Sequence, residues 1–269
     1  MNTLRVACVQ SSAGADWKKN WRTAQKALEG AVRKRAQLIA FPEFFYWRGP
    51  SEDMGETAAA SKIILKETQS FSRKNKCAVL LGSLLEPSPE RGKYFNTSYL
   101  ISEKGTVSAK YRKIHLFDIQ LKDVQARESK TIASGRQVVT GKVWGVKCGL
   151  SVCYDLRFPE LYRKQVKAGA KILFVPANFT FTTGAAHWEV LLRARAIENQ
   201  AYVIAPGQTG THPSTGIRSF GTSMIIDPWG RVLAQASVNK TGMIAANLRF
   251  PQQDRLQRSF PALRHARLL

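Results

Sequence analysis

Long apolar runs, acidic side chains and cysteine are all scarce in this chain of 269 residues. No uninterrupted apolar run approaches the ~20 residues of a membrane-spanning helix, so we expect no membrane span. The opening MNTLRVACVQ enters a strand-like pattern directly and lacks a basic segment followed by an apolar one. We therefore expect no secretory signal and a cytoplasmic location. Repeats, low-complexity linkers and composition shifts are also missing, which predicts one domain over residues 1–269.

Cysteine and histidine are each present four times. They form no C-x-x-C pair and no pair at metal-ligand spacing, so we predict no metal site. In an intracellular protein of this size we expect free thiols rather than disulfides. Cys8, Cys77 and Cys148 lie inside apolar runs. We expect these three to be inert core residues, whereas Cys153 has a different context.

Acidic residues number 19 against 41 basic ones, a formal net charge of +22. Such an excess makes binding to nucleic acid or another polyanion an alternative function. The basic residues, however, are spread along the chain, with small clusters at WKKNWR, VRKRAQ and LRHARLL. No RNP-like aromatic motif, zinc-finger spacing or long basic tail accompanies them. We favour a solvated basic surface, and an attraction for acidic substrates fits the same charge.

Strand-like runs and helical patterns are what the sequence does contain. Many of the strand-like runs are rich in β-branched residues and end at Gly, Pro or Asn. They cover residues 4–10, 36–41, 77–86, 94–102, 106–111, 137–152, 171–177, 201–207, 221–227, 231–237 and 242–248. Helical patterns cover residues 17–36, 56–75, 158–169 and 185–200. Early strands alternate with helices and later ones form hairpins, which predicts a layered α/β architecture.

Two of these helices are predicted in more detail. Asp16 is the expected N-cap of the first helix. One face of that helix carries apolar residues at helical spacing, namely Trp21, Ala24, Leu28 and Ala31. The helix at 185–200 carries an apolar stripe at Val190, Ala194 and Ile197 and an i,i+4 ion pair between Glu189 and Arg193.

Three ionisable residues stand immediately after strand-like runs. Glu43 lies in AFPEFF, Lys113 in KYRKIHLFD and Cys153 in VCYDLRFPE. Each has a structural alternative, since Glu43 suits a helix cap, Lys113 a solvated surface and Cys153 the core. Together they supply the parts for attack on an amide or nitrile carbon.

The chemistry assigns one role to each of these groups. A free thiol with a pKa of ~8.5 is mostly protonated at neutral pH, so Cys153 needs a base. Glu43 is that base, and we expect burial among Phe41, Phe44 and Phe45 to raise its pKa. Lys113 and the backbone N–H of Tyr154 would stabilise the oxyanion of the tetrahedral intermediate.

The three motifs FPE, YRKIHLFD and CYDLRFPEL resemble those of the nitrilase superfamily of carbon–nitrogen hydrolases. The similarity runs from LRVACVQ to FPALRHAR and includes HWEVLLRARAIENQ and DPWG. The resemblance implies catalysis by Glu43, Lys113 and Cys153, with Glu128 of ESKT orienting Lys113 and balancing its charge. It further implies a four-layer α-β-β-α sandwich, a homodimer formed through helices near the cysteine and HWEVLLRARAIENQ, and no metal or organic cofactor.

Among branches of this superfamily, the sequence most resembles amidases of the deaminated-glutathione and omega-amidase type. That resemblance implies a small carboxylated amide as substrate, such as deaminated glutathione or 2-oxoglutaramate, and a thioester intermediate. An N-carbamoyl-amino-acid hydrolase is the nearest alternative, and a basic nucleic-acid-binding protein of the same fold is the alternative outside the enzymes.

Candidate substrate-binding residues follow from the expected carboxylate. Arg157, four residues after Cys153, is the first candidate, with a structural salt bridge as its alternative. Tyr154, Asn178 and His115 are further candidates, and for His115 a structural hydrogen bond is the favoured alternative. The stretch RGPSEDMGETAAASK (48–62) departs from the amidase pattern and is expected to lie over the pocket.

Overall fold

The computed structural model describes residues 1–121 and 125–267. Its strands, in chain order, are β1 Thr3–Gln10, β2 Leu38–Ala40, β3 Ala78–Pro87, β4 Tyr94–Ile101, β5 Val107–Arg112, β6 Asp118–Gln120, β7 Gln125–Arg127, β8 Thr140–Val143, β9 Val146–Leu150, β10 Ile172–Phe174, β11 Tyr202–Ala205, β12 Thr209–Thr211, β13 Arg218–Phe220, β14 Met224–Ile226, β15 Val232–Gln235 and β16 Gly242–Arg249. The helices are α1 Trp17–Arg33, α2 Met54–Asn75, α3 Pro159–Lys167, α4 Phe181–Asn199, α5 Phe250–Ser259 and α6 Ala262–His265.

Two six-stranded sheets form the centre of the molecule. The first has the order β16-β1-β2-β3-β4-β5 and the second β15-β14-β11-β10-β9-β8. In each sheet three parallel strands, β1 to β3 or β9 to β11, lie between antiparallel neighbours. Helices α1 and α2 contact the first sheet, and α3 and α4 contact the second. The predicted α-β-β-α sandwich is therefore confirmed.

Alternating side chains of the first sheet fill two different cores. In β1, Leu4 and Val6 point towards the second sheet and pack in one cluster with its residues. Ala7 and Val9, which point the other way, pack with Leu28 and the rest of the buried face of α1. Because side chains along a strand alternate between faces, a one-residue slip would exchange these two cores.

Most of the predicted helices and strands are present in the structure. One predicted strand is two strands, and several short elements were not predicted. Asp16 caps α1 by accepting a hydrogen bond from the Lys19 backbone N–H at 2.9 Å. The run 137–152 is two strands, because Trp144 and Gly145 both adopt positive φ and reverse the chain in a hairpin turn. The sequence did not predict β6, β7, β12, β13, α5 or α6.

Helix α4 presents its predicted apolar stripe to solvent. Val190 is 68% exposed and Ile197 is 50% exposed, whereas Trp188 and Leu192 are buried against the second sheet. The predicted ion pair between Glu189 and Arg193 is present. The inward face of α4 is the other one, so the outward stripe remains an apolar surface.

All four cysteines are unpaired and buried. Burial raises the pKa values of Cys8 and Cys148, and it raises that of Cys77 to about 12. These three thiols therefore have the inert character predicted for them. Along the described part of the chain, no helix combines the length and apolarity needed to cross a membrane.

Candidate active site

The carboxyl ends of parallel strands from both sheets meet at one cavity. Glu43 follows β2, Cys153 follows β9 and Asn178 follows β10. Lys113 immediately follows β5 of the first sheet. All four residues line a cavity of about 400 Å³. The structure thus brings together side chains that are far apart in the sequence, as is common at the carboxyl ends of strands in α/β folds.

Cys153 occupies a strained backbone position at the start of a short 3-10 turn, Cys153–Arg157. Its φ angle of 51° lies in the left-handed region, which costs a residue other than glycine of order 1–3 kcal/mol. Its backbone N–H donates to the Pro176 carbonyl at 2.9 Å. The sharp turn takes Cys153 out of the line of β9 and makes it part of the cavity wall.

An ion network surrounds the ammonium group of Lys113. Lys113 Nζ lies 3.1 Å from Glu43 Oε1, and 3.0 Å and 2.8 Å from the two carboxylate oxygens of Glu128. The backbone N–H of Phe117 donates to Glu128 Oε2 at 2.7 Å. Lys113 and Glu43 are almost completely buried. Because the ammonium is shared by two carboxylates, its position and theirs are fixed together.

Asn96, which the sequence analysis did not single out, connects the two carboxylates. It is fully buried in β4, and its Nδ2 donates to Glu43 Oε1 at 2.8 Å and to Glu128 Oε1 at 3.3 Å. The backbone carbonyl oxygen of Asn96 accepts a hydrogen bond from the Lys113 backbone N–H at 2.9 Å. The sequence contained one indication of this role, because Asn96 is a polar amide within the strand-like run 94–102, which precedes the run that leads to Lys113.

The surroundings of this cavity raise the pKa values of both Lys113 and Cys153. Burial alone would lower the pKa of Lys113, but the carboxylates of Glu128 and Glu43 outweigh it and hold that pKa well above its usual range. Burial, followed by the charge of Glu43, raises the pKa of the Cys153 thiol well above its ordinary value. At neutral pH the cavity therefore holds a charged ammonium and a protonated thiol.

Asn178 contacts the same groups through its backbone. Its N–H donates to Glu43 Oε2 at 2.8 Å and also faces the thiol of Cys153. The loop of Glu43 is held by Gln208, whose Nε2 donates to the carbonyl oxygens of Glu43 and Phe44 at 3.1 and 2.9 Å. Tyr154, directly after the cysteine, lines the cavity as well.

Arg157 and His115, two candidate substrate-binding residues, lie beside the cavity lining rather than within it. The guanidinium of Arg157 lies over the rings of Tyr154 and Phe179, with its Nη1 3.2 Å from His187 Nδ1. His115 Nδ1 lies 2.7 Å from Asp155 Oδ1, and its ring stacks on Phe158 at 3.7 Å. Both side chains therefore have protein partners, and their contact with substrate stays a prediction.

The cavity holds a thiol, a carboxylate next to it and an ammonium next to that carboxylate. A thiol, a carboxylate and an ammonium in this arrangement can form and break a covalent bond to a carbonyl carbon. A family model described as carbon–nitrogen hydrolase matches residues 5–256. The chain belongs to the carbon–nitrogen hydrolase family, and the resemblance inferred from the sequence motifs is confirmed.

Several named proteins are similar to this chain over nearly its whole length. A deaminated glutathione amidase of Synechocystis is 38% identical over 271 residues, which cover 98% of both chains. The crystal structure of the Caenorhabditis elegans NitFhit protein has a TM-score of 0.93 and 35% identity, covering 99% of this chain and 66% of that one. A mutant amidase from Nesterenkonia sp. AN1, with the acetamide moiety of fluoroacetamide on its active-site cysteine, has a TM-score of 0.79 and 25% identity, covering 96% and 97%.

Proposed function

We propose that this hydrolase is a cysteine-dependent amidase that cleaves an amide bond of a small carboxylated substrate, with deaminated glutathione as the first candidate. The observation that carries the catalytic assignment is the convergence of Cys153, Glu43 and Lys113 at one cavity. The relatives named deaminated glutathione amidase support the substrate class. The formal charge of +22 also favours an anionic substrate.

In the proposed reaction, Glu43 accepts the proton of the Cys153 thiol while sulfur attacks the amide carbon. Lys113 and backbone N–H groups at the cavity, including that of Tyr154, stabilise the negative oxygen that develops. Glu43 returns the proton to the departing nitrogen, leaving a thioester on Cys153. Water, deprotonated by Glu43, then attacks the thioester carbon. As the C–S bond breaks, Glu43 returns this proton to the Cys153 sulfur and the carboxylic acid is released. Glu128 and Asn96 keep Lys113 and Glu43 in position through the transfers.

A comparison of two buried cysteines tests this assignment. We expect purified wild-type protein to release product from deaminated glutathione and ammonia from 2-oxoglutaramate. The Cys153→Ala variant should lose both activities, whereas Cys148→Ala, five residues earlier and also buried, should retain them. Retained turnover in Cys153→Ala would reject the mechanism. Preferential release of carbon dioxide and ammonia from carbamoyl amino acids would replace the substrate with that of the alternative hydrolase.

We also propose that two copies pair through the outward face of α4 and its neighbourhood. Val190 and Ile197 lie on this face, and Trp229 and Phe260, which pack edge to face, are 58% and 57% exposed. Large exposed apolar groups are common at interfaces between subunits. Sedimentation should give twice the mass of one chain for the wild type and a lower mass for Val190→Glu combined with Ile197→Glu. A monomeric wild type would contradict the pairing.

We further propose a single catalytic domain in the cytoplasm. Four unpaired thiols fit a reducing compartment. Limited proteolysis that yields two stable fragments would contradict the single domain, and recovery in an oxidising compartment would contradict the location.

A further inference from the structure

Arg48 is a buried cation at the cavity wall with a set of neutral partners. Its Nε donates to the Ala13 carbonyl, and its two terminal nitrogens donate to Ser12 Oγ, Ser219 Oγ, Asn178 Oδ1 and the Thr209 carbonyl. Among residues 1–121 and 125–267, no carboxylate lies within ion-pair distance of this guanidinium. The side chain is nevertheless only 2% exposed. A buried charge without a counter-ion is costly, which calls for an explanation.

The other buried cations of the chain show how unusual this arrangement is. Lys113 is shared by Glu43 and Glu128, and the guanidinium of Arg195 is 3.0 Å from Glu198. Burial lowers the pKa of Arg48 to about 10, so the group still carries its charge at neutral pH. Its field acts on another residue of the cavity wall, because Arg48 contributes with burial to lowering the pKa of His212.

Arg48 also fixes the orientation of the Asn178 side chain. A guanidinium only donates hydrogen bonds, so the amide atom that faces it must be the oxygen. Arg48 Nη1 approaches Asn178 Oδ1 at 3.4 Å, and Ser219 Oγ, which accepts from Arg48 at 2.8 Å, donates to the same oxygen at 2.6 Å. The Nδ2 group of Asn178 is left without a partner in the described part of the chain. It is therefore a donor at the cavity wall that is free for a ligand.

Asn178 links this donor directly to the reacting atoms. Its backbone N–H faces Glu43 and the Cys153 thiol, while its side chain faces Arg48. Trp47, the neighbour of Arg48, lines the same wall, but its indole N–H is fully enclosed and so is not counted as a donor for a ligand. The free amide of Asn178 and an unneutralised cation suit a ligand group that is rich in acceptors and negatively charged.

We propose that Arg48 is a specificity-determining positioning residue, which acts through Asn178 and through its own charge to favour amides whose acyl chain ends in a carboxylate. This inference rests on the proposed amidase function and adds the recognition element for the anionic end of the substrate. A competing explanation is that Arg48 only offsets the excess negative charge of Glu43 and Glu128 over Lys113. That explanation predicts equal effects on charged and neutral substrates.

A matched pair of five-carbon amides separates these explanations. Glutaramate ends in a carboxylate, and pentanamide ends in a methyl group at the corresponding position. We expect Arg48→Met to lower kcat/KM for glutaramate by about 30-fold, mainly through KM, and for pentanamide by about threefold. Arg48→Lys, which keeps the charge, should restore part of the preference. Arg195→Met removes a buried arginine outside the cavity lining and should leave the ratio of the two values unchanged.

Folding and substrate binding of the variants are measured as well as their activity. If Arg48→Met does not fold, as judged by thermal melting, Ser219→Ala serves instead, because it frees the Asn178 amide and should lower the preference by about fivefold. Calorimetry with the Cys153→Ala variant measures binding of both amides without turnover. Loss of the glutaramate preference in binding when Arg48→Met or Ser219→Ala is added supports the proposal.

Equal losses for the two amides, in kcat/KM and in binding, would overturn the role of Arg48. A wild-type protein that releases ammonia from neither amide would contradict the proposed amidase function instead. In that case calorimetry still decides the inference, since tighter binding of glutaramate that depends on Arg48 supports it and equal binding rejects it.

Discussion

The two sheets have a similar arrangement of strands but carry different chemistry at the carboxyl ends of those strands. Both join three parallel strands through helices and add antiparallel strands at the edges. The first sheet presents Glu43 and Lys113, which are charged and paired with each other. The second presents Cys153 and Asn178, which are neutral and held through their backbone. The two sheets therefore resemble each other in backbone arrangement. The side chains that follow their strands determine the chemistry at each end.

This difference predicts that substitutions at the ends of the two sheets have different effects on stability and activity. Charges at the end of the first sheet are buried and depend on one another, so their loss should affect both stability and activity. The sulfur at the end of the second sheet is not part of an ion pair, so its loss should affect activity with little effect on stability. Variants of residues at the end of each sheet test this difference.

The largest effect is expected for Lys113→Met, which leaves two buried carboxylates without their shared ammonium. We expect the free energy of unfolding to fall by about 3–5 kcal/mol and turnover to fall by about 10³-fold. Urea denaturation and product release measure the two. Lys171→Met is the control, because its half-exposed pair with Asp254 should contribute under about 1 kcal/mol. Equal losses in the two variants would remove the distinction between the sheets.

Asn96→Leu tests whether the amide between the carboxylates positions Glu43. We expect turnover to fall by about 100-fold, because Glu43 loses a hydrogen bond that orients it, and stability to fall by about 1–3 kcal/mol. Asn199→Leu is a close control, since Asn199 is also fully buried, with a carbonyl oxygen that has no partner among the described residues. It should lose stability but keep activity. Full activity in Asn96→Leu would confine its role to stability.

The raised pKa of Cys153 predicts a pH dependence on the side of the second sheet. The folded protein keeps the thiol proton to higher pH than the unfolded chain, so stability is full below the unfolded pKa and falls above about pH 9. The Cys153→Ser variant lacks this titration. As pH rises above about 9, the free energy of unfolding of Cys153→Ser should therefore fall less steeply than that of the wild type. The two slopes should differ by up to about 1.4 kcal/mol per pH unit. Parallel curves for the two proteins would contradict the raised pKa.

The smallest effect concerns backbone strain at Cys153. At a φ of 51°, glycine is preferred over alanine, so Cys153→Gly should be more stable than Cys153→Ala by about 0.5–1 kcal/mol. In β9 the order should reverse, with Cys148→Gly less stable than Cys148→Ala. Thermal melting of the four variants measures both differences. The same order at both positions would show that the turn at Cys153 stores no strain.

Local sequence patterns were sufficient to predict most helices and strands and to identify the ionisable residues that follow strands. The N-cap at Asp16 and the buried face of α1 depend on neighbouring residues, and both were predicted correctly. The motifs around Glu43, Lys113 and Cys153 likewise follow recognisable strands. Their common cavity, however, came from the resemblance to a family, because spacing along the chain does not fix contacts between two sheets.

The unpredicted parts depend on contacts across the fold. Asn96 acts on Glu43, 53 positions away, and Arg48 acts on Asn178, 130 positions away. Neither partner is visible from the local sequence. The stripe on α4 was recognised from its period, but a period does not indicate which of two apolar faces turns inward when Trp188 and Leu192 form the other.

The order of the site residues along the chain has a consequence during synthesis. Glu43, Lys113 and Glu128 all precede Cys153, so their segments leave the ribosome before the sulfur does. Until the later half of the nascent chain docks, no carboxylate lies beside its thiol to accept the proton as sulfur attacks. A growing polypeptide therefore lacks the positioned proton acceptor that the proposed reaction requires, and this arrangement arises only when the two halves of the molecule join.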